Sequence, residues 1–152
     1  MNELSVMIQT PIAARVTALS LAYSRLDAWR EQRARLSVRE AADMAAEALA
    51  FLTPAQDSEI AVLIERLRAN YPEFDDLPET VLELTVEDLI NDLEGFPATL
   101  LHEACKRWRN SEARRAPTAG QLKALVAKEL RAAERVAELA ANAMTMLARA
   151  EA

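Results

Sequence analysis

The chain has 152 residues, of which 51% are hydrophobic and 28% are charged, a composition that fits one folded domain and excludes a wholly disordered chain. Two glycines and six prolines are few for this length, which argues against a β-rich fold because sheets need many turn residues. The net charge of −6 argues against nonspecific wrapping of nucleic acid, which requires a broad basic face.

Nothing in the sequence predicts a membrane segment or an oxidising compartment. The single cysteine, Cys105, excludes an internal disulfide. No apolar run reaches about 18 residues, and no stretch has the charged, apolar and small-residue order of a signal peptide. We therefore expect a cytoplasmic protein that does not enter a membrane.

The first amphipathic helix begins after Thr10-Pro11, where an N-cap residue precedes a proline at the first helical position. It is predicted to extend to about Ala34. Its apolar residues recur at the spacing of one helical face: Val16, Leu19, Tyr23 and Leu26.

Two further helices follow, each opened by the spacing of a capping box. Ser37 with Glu40 opens the second helix, which reaches Leu52. Thr53 with Gln56 opens the third, which Asn70-Tyr71-Pro72 ends. A loop is predicted from Pro72 to Pro78.

The middle of the chain is predicted to hold three shorter helices. Glu79 to Leu84 forms one or two turns, and Thr85 then caps a separate helix. Gly95 is expected in the left-handed conformation that ends helices, and Pro97 starts the next helix. Trp108 falls on the apolar face of that helix, which predicts a core anchor.

The last helix is predicted to be long. Ala116-Pro117 breaks the chain, and Thr118 with Gln121 forms a third capping box. No residue stops the helix from 118 to about 150, a length of about 45 Å. The all-α fold is therefore a compact bundle of six or seven helices, in a single domain from 1 to 152.

The apolar arc of this helix is wider than one small core can cover. One interpretation is a central helix packed on two sides by earlier helices. The other is a helix whose distal half projects and contacts a second copy or another protein. On the second interpretation, the contacting residues are Leu139, Met144, Met146 and Leu147.

Charge is segregated along the chain. Nine acidic residues and no basic ones lie between Tyr71 and Gly95, and a basic run follows. Either the two are solvated faces that neutralise each other, or they are docking surfaces. The acidic docking candidates are Asp75, Asp76, Glu83, Glu87, Asp88 and Asp92. The candidates for contact with nucleic acid or an acidic partner are Lys106, Arg107, Arg109, Arg114 and Arg115.

The sequence lacks the residue sets that catalysis or metal binding requires. His102 and Cys105 lie three residues apart, but no second pair completes a metal site, and Cys105 lies on an apolar face. Gly95 and Gly120 are the only glycines, so a glycine-rich phosphate loop cannot form. We expect no enzymatic activity, no metal and no cofactor.

A helix-turn-helix at 85–110 would bring an acidic first helix to the phosphate backbone, so direct DNA binding is expected to be weak.

The segment from 95 to 125 instead resembles a module of bacteriophage and prophage replication-accessory proteins, including helicase-loader-like proteins. The matching residues are Phe96-Pro97, Ala104-Cys105, Trp108-Arg109, Pro117-Thr118 and Leu122.

Proteins of that kind bind a ring helicase and help place it on DNA without enzymatic activity of their own. The resemblance therefore implies a phage-type adaptor for a replicative helicase or another nucleic-acid machine, with self-association through the last helix as a further expectation. Two alternatives stay open. One is a phage-encoded inhibitor of a host nucleic-acid-processing or defence complex, whose acidic segment stands in for phosphates. The other is a helical DNA-binding regulator that uses the basic run.

Overall fold

The computed structural model describes residues 11–151, and over this range the chain is an all-α protein, as the helix start signals predict. Seven α-helices and one short 3-10 helix fill the described range, which holds no strand. The helices are α1 (Ile12–Arg30), α2 (Val38–Phe51), α3 (Asp57–Asn70), the 3-10 helix (Pro72–Phe74), α4 (Glu79–Leu93), α5 (Ala98–Arg109), α6 (Ala119–Leu125) and α7 (Ala127–Glu151). Between residues 11 and 151, no helix combines the length and the apolar character that crossing a membrane requires.

The chain divides into two compact units. The continuous unit is Thr53–Ala127, and the discontinuous unit combines the chain before it with the chain after it. The discontinuous unit therefore holds α1, α2 and nearly all of α7, whereas the continuous unit holds α3 to α6. The single-domain assignment stays a prediction.

In the discontinuous unit, α2 begins at the predicted capping box. The Ser37 hydroxyl accepts a hydrogen bond from the Glu40 N–H at 3.1 Å, and the Glu40 carboxylate accepts one from the Ser37 N–H at 2.8 Å. Arg25 of α1 pairs with Glu40 at 3.0 Å, which links the two helices. Buried apolar side chains come from all three helices: Leu19, Ala22, Leu26, Ala41, Ala45, Ala48, Phe51, Ala133, Val136, Ala140 and Ala143.

In the continuous unit, backbone bonds tie the start of the segment to the turn before α5. The Ala55 N–H donates to the Phe96 carbonyl, and the Ala98 N–H donates to the Thr53 carbonyl, each at 2.9 Å. Gly95 has a φ of 78° after the end of α4, as predicted for a left-handed helix terminus. The Thr118–Gln121 capping box opens α6, also as predicted.

The end of α1 differs from the prediction. The helix ends at Arg30, not near Ala34, because Gln32 adopts a φ of 61°. The N–H groups of Gln32 and Arg33 then donate to the carbonyls of Trp29 and Ala28, the pattern of a Schellman motif that glycine usually provides. The predicted N-cap at Thr10 lies outside the described residues.

Two predicted helix starts are wrong. Thr85 does not cap a new helix, because α4 runs without a break from Glu79 to Leu93 and the Thr85 hydroxyl donates to the Val81 carbonyl at 2.8 Å. Such a bond to the preceding turn satisfies threonine inside a helix. The capping box predicted at Thr53–Gln56 is displaced by three residues, since Glu59 accepts from the Gln56 N–H at 3.1 Å and α3 begins at Asp57.

The predicted continuous helix over 118–150 is broken. Val126 has a φ of −123° and a ψ of 13°, which separates α6 from α7. The Leu125 carbonyl accepts a hydrogen bond from the Arg107 guanidinium at 2.7 Å. A side chain from α5 thus satisfies a carbonyl at the end of α6, and the long C-terminal helix is α7.

Candidate functional site

An elongated groove runs between α1 and α7 in the discontinuous unit. Its first half has a volume of about 550 Å³ and its second half about 300 Å³. The first half is lined by Leu19, Ser20, Tyr23, Ser24, Arg131, Ala132, Arg135 and Val136. The second half is lined by Leu26, Trp29, Arg30, Arg135, Glu138, Leu139, Asn142 and Met146. Arg135 belongs to both halves, so they adjoin and form one surface, which we call the α1–α7 groove.

The spacing of residues on α7 explains why this helix has a groove face beside its core face. The buried line consists of Ala133, Val136, Ala140 and Ala143, which recur at helical spacing and therefore share one face. The neighbouring line contains Ala132, Leu139 and Met146, seven residues apart, and it borders the groove. The wide apolar arc of α7 therefore contributes one line of residues to the core and a neighbouring line to the groove.

The structure places two of the four predicted contact residues in the groove. Leu139 and Met146 both line its second half, and 59% of Met146 is exposed to solvent. Met144 and Leu147 are half-buried and do not line the groove. Met146 is therefore accessible to a partner at one end of the groove.

The other wall of the groove was not predicted from the sequence. Leu19, Tyr23 and Leu26 were predicted only to share one face of an amphipathic helix, and all three line the groove. Trp29, three residues beyond Leu26, continues the same wall. The spacing of these four residues was a usable signal, but it does not reveal which helix lies opposite.

Arginines dominate the charged rim of the groove. Arg30, Arg131 and Arg135 line it, against one carboxylate, Glu138. Arg135 lies 3.7 Å from Glu138, and Arg30 pairs with Asp27 on α1. The rim is therefore basic on a chain whose net charge is −6, which favours an acidic occupant.

The predicted acidic residues form an exposed surface on the continuous unit. Glu83, Glu87, Asp88 and Asp92 lie on α4, and Asp75 and Asp76 follow the 3-10 helix; all six are exposed. In the part of the chain that the structure describes, none of the six forms an ion pair with lysine or arginine. The acidic and basic runs of this unit therefore do not neutralise each other through direct contacts.

The predicted basic residues divide into two groups. Lys106, Arg109, Arg114 and Arg115 are exposed. Arg107 is half-buried, and its guanidinium donates to Glu103 at 3.1 Å as well as to the Leu125 carbonyl. Arg107 therefore has a structural role at the end of α6, and the other four remain accessible to a partner.

Trp108, within the same run, is partly buried. Its ring packs against Leu67, Tyr71 and Phe74, and its indole N–H donates to the Arg115 carbonyl at 2.9 Å. A ring held in this way is not available to stack on a nucleotide base. Trp108 instead holds the segment after α5 against the unit.

His102 and Cys105 occupy different environments on α5. The Cys105 side chain is buried, and this burial raises the pKa of its thiol, although nearby Arg109 lowers it in part. His102 is exposed, with its Nε2 atom 3.9 Å from a Glu59 carboxylate oxygen. Among residues 11–151, no three His, Cys, Asp or Glu side chains lie together as metal ligands would.

No family model, curated protein or solved structure matches this chain. The resemblance of segment 95–125 to phage replication-accessory proteins therefore stays a prediction. The α1–α7 groove, the acidic surface of α4 and the exposed bases of 106–115 are the surfaces from which a function can be argued.

Proposed function

We propose that this protein is a non-enzymatic adaptor that binds another protein in the α1–α7 groove. The supporting observation is an apolar recess with Leu26, Trp29, Leu139 and Met146 along its second half and arginines along its rim. Apolar anchors framed by charge are typical of surfaces that receive an amphipathic helix.

The dimensions of the groove suit such an occupant. The lining residues on α7 extend from Arg131 to Met146, which corresponds to about 22 Å at 1.5 Å per residue. About four turns of a partner helix would fit along it. The flexible Met146 thioether at one end favours adaptation to the side chains that enter.

The class of partner that we propose is a replication protein, with a ring helicase as the specific example. This part of the proposal rests on the resemblance of segment 95–125, and the groove itself supports only protein binding. The burial of Cys105 and the high pKa that burial gives its thiol agree with a role without catalysis, because the thiolate is the nucleophilic form.

We expect the Leu139→Glu, Met146→Glu variant to remain folded and to lose partner binding by at least roughly 100-fold, since burying an unpaired carboxylate costs several kcal/mol. The measurement is a titration with the replicative ring helicase that the same genome or its host encodes. Trp29 fluorescence reports groove occupancy in a Trp108→Phe background, because Trp29 lines the groove and is the only other tryptophan.

The control is Leu49→Glu, which makes the same kind of substitution once, on α2, at a position that is 60% exposed and outside the groove lining. It should bind like the parent. Unchanged binding by the Leu139, Met146 variant would contradict the proposed groove. Absence of binding to any replication helicase, with binding to a different protein through the same residues, would contradict only the helicase assignment.

A second candidate function, inhibition of a host nucleic-acid-processing or defence complex, is favoured by the unpaired acids of α4. Exposed carboxylates in a row can occupy a site that evolved for phosphates. If this function is correct, changing Glu83, Glu87, Asp88 and Asp92 to their amides should abolish competition with DNA for the target enzyme. The Leu139, Met146 variant should then compete normally, whereas the adaptor proposal requires the opposite pattern.

The exposed bases of 106–115 leave the DNA-binding regulator as a third alternative, and tight duplex binding at physiological salt would favour it.

A further inference from the structure

The outer face of α4 combines two exposed apolar side chains with acids. Val81 is 44% exposed and Leu84 is 56% exposed. Asp88 lies on the same face as both, because positions 81, 84 and 88 are spaced by three and four residues. Glu87 borders this face on the side of Leu84, and Asp92 lies next to Val81 on the other side. The outer face of α4 is therefore itself an acidic amphipathic surface.

The apolar side chains and the negative charge of this face complement the apolar floor and the positive charge of the α1–α7 groove. The groove offers an apolar floor and the guanidinium groups of Arg131 and Arg135, and Arg131 has no ion-pair partner among the described residues. The α4 helix has 15 residues, about 22 Å, which equals the length of the groove. The groove thus offers an unpaired positive charge at Arg131, and the outer face of α4 offers unpaired negative charges.

We infer that the α1–α7 groove of one copy of this chain receives the α4 helix of a second copy. Val81 and Leu84 enter the apolar floor, and the α4 carboxylates pair with Arg131 and Arg135. The two contacting surfaces are different, so the contact is heterologous and generates a ring or an open chain of copies. The inference uses the groove of the proposed function, and self-association then competes with the partner for it.

The exposed bases of 106–115 are a second surface that attracts an acidic helix. They offer charge without a recess, since the Trp108 ring is packed against Tyr71 and Phe74. Surface ion pairs alone contribute little to binding, and Val81 and Leu84 would stay in water. The groove complements both features of α4, its carboxylates and its exposed apolar side chains.

The test is sedimentation velocity of the purified chain across the micromolar range, at low and at physiological salt. The parent should self-associate, and more weakly as salt rises. The groove variant, Arg131→Glu with Arg135→Glu, and the helix variant, Glu87→Lys with Asp88→Lys, should each weaken self-association by roughly 100-fold, because each brings like charges together. Both pairs of residues are exposed, so the variants should fold, which circular dichroism checks.

Mixing the two variants distinguishes this contact from other forms of self-association. The groove variant keeps an intact α4, the helix variant keeps an intact groove, and the two altered surfaces carry opposite charges, so an equimolar mixture should recover the association that each variant alone has lost. The matched control is Arg114→Glu with Arg115→Glu, which removes exposed bases outside the groove and should leave self-association intact.

Three outcomes would overturn the inference: a parent chain that stays monomeric, variants that associate as the parent does, or a mixture that does not associate. Loss of association in the Arg114, Arg115 control would move the contact to the basic run and also overturn it. None of these outcomes affects the proposed function, which is measured by titration with a different protein. Conversely, failure of that titration leaves the self-association result unchanged.

Discussion

Replacing Phe51 with alanine should lower the free energy of unfolding of the discontinuous unit by about 4 kcal/mol. Phe51 is the last residue of α2 and only 1% of it is exposed. The Arg15 guanidinium lies 4.9 Å from the centre of its ring, and burial lowers the pKa of Arg15, although Glu47 partly opposes this. The substitution leaves a cavity and also removes a cation–π contact.

Urea denaturation followed by circular dichroism measures this loss. The matched control is Leu49→Ala, two residues earlier on the same helix, where the side chain is 60% exposed. The control should change the free energy of unfolding by less than about 0.5 kcal/mol. If the two substitutions cost the same, the ring of Phe51 does not anchor α2 and the assignment of the core is wrong.

Helix boundaries were predictable where the signal is local. The side chains of Ser37 and Thr118 each cap a helix three residues before a Glu or Gln that completes the box. Gly95 ends α4 because its missing Cβ allows a φ of 78°. In each case the residues that determine the boundary are within a few positions of it, so the boundary can be predicted from the sequence alone.

Two boundaries were not predictable because the decisive contact is ambiguous or distant. A threonine hydroxyl either caps a new helix or bonds the preceding turn, and the sequence around Thr85 does not distinguish the two. The break at Val126 has no proline or glycine, and the Leu125 carbonyl there is satisfied by Arg107, 18 residues earlier. A contact of that separation belongs to tertiary structure.

The candidate site was half predictable for the same reason. Heptad spacing identified Leu139 and Met146 as residues outside the core of α7, and both line the groove. The apolar stripe beside these heptad positions also predicted Met144 and Leu147 as contacts, but both are half-buried and lie outside the groove lining. The opposite wall, from Leu19 to Trp29, depends on which helix packs beside α7, and periodicity within one helix does not contain that information.

The second large effect is expected at Trp108, the residue at which the structural and nucleic-acid interpretations of the basic run diverge. Trp108→Ala should cost about 3 kcal/mol, the low end for a tryptophan because the ring is only partly buried. The ring packs against Leu67, Tyr71 and Phe74. The segment after α5 also loses its bond from the indole N–H to the Arg115 carbonyl.

Trp108→Phe helps to separate the two contributions, since it keeps a smaller aromatic ring for packing and removes the indole N–H donor. It should cost about 1 kcal/mol, the value of one hydrogen bond whose exposed acceptor can turn to water. Urea denaturation of both variants gives the comparison, and limited proteolysis between residues 109 and 117 should accelerate in both, more so in the alanine variant. A loss below about 1 kcal/mol in Trp108→Ala, together with weakened binding to single-stranded DNA, would place the ring at a nucleic-acid surface. The four exposed bases around it would then become the site to examine, because stacking on an aromatic ring next to arginine is how proteins hold single strands.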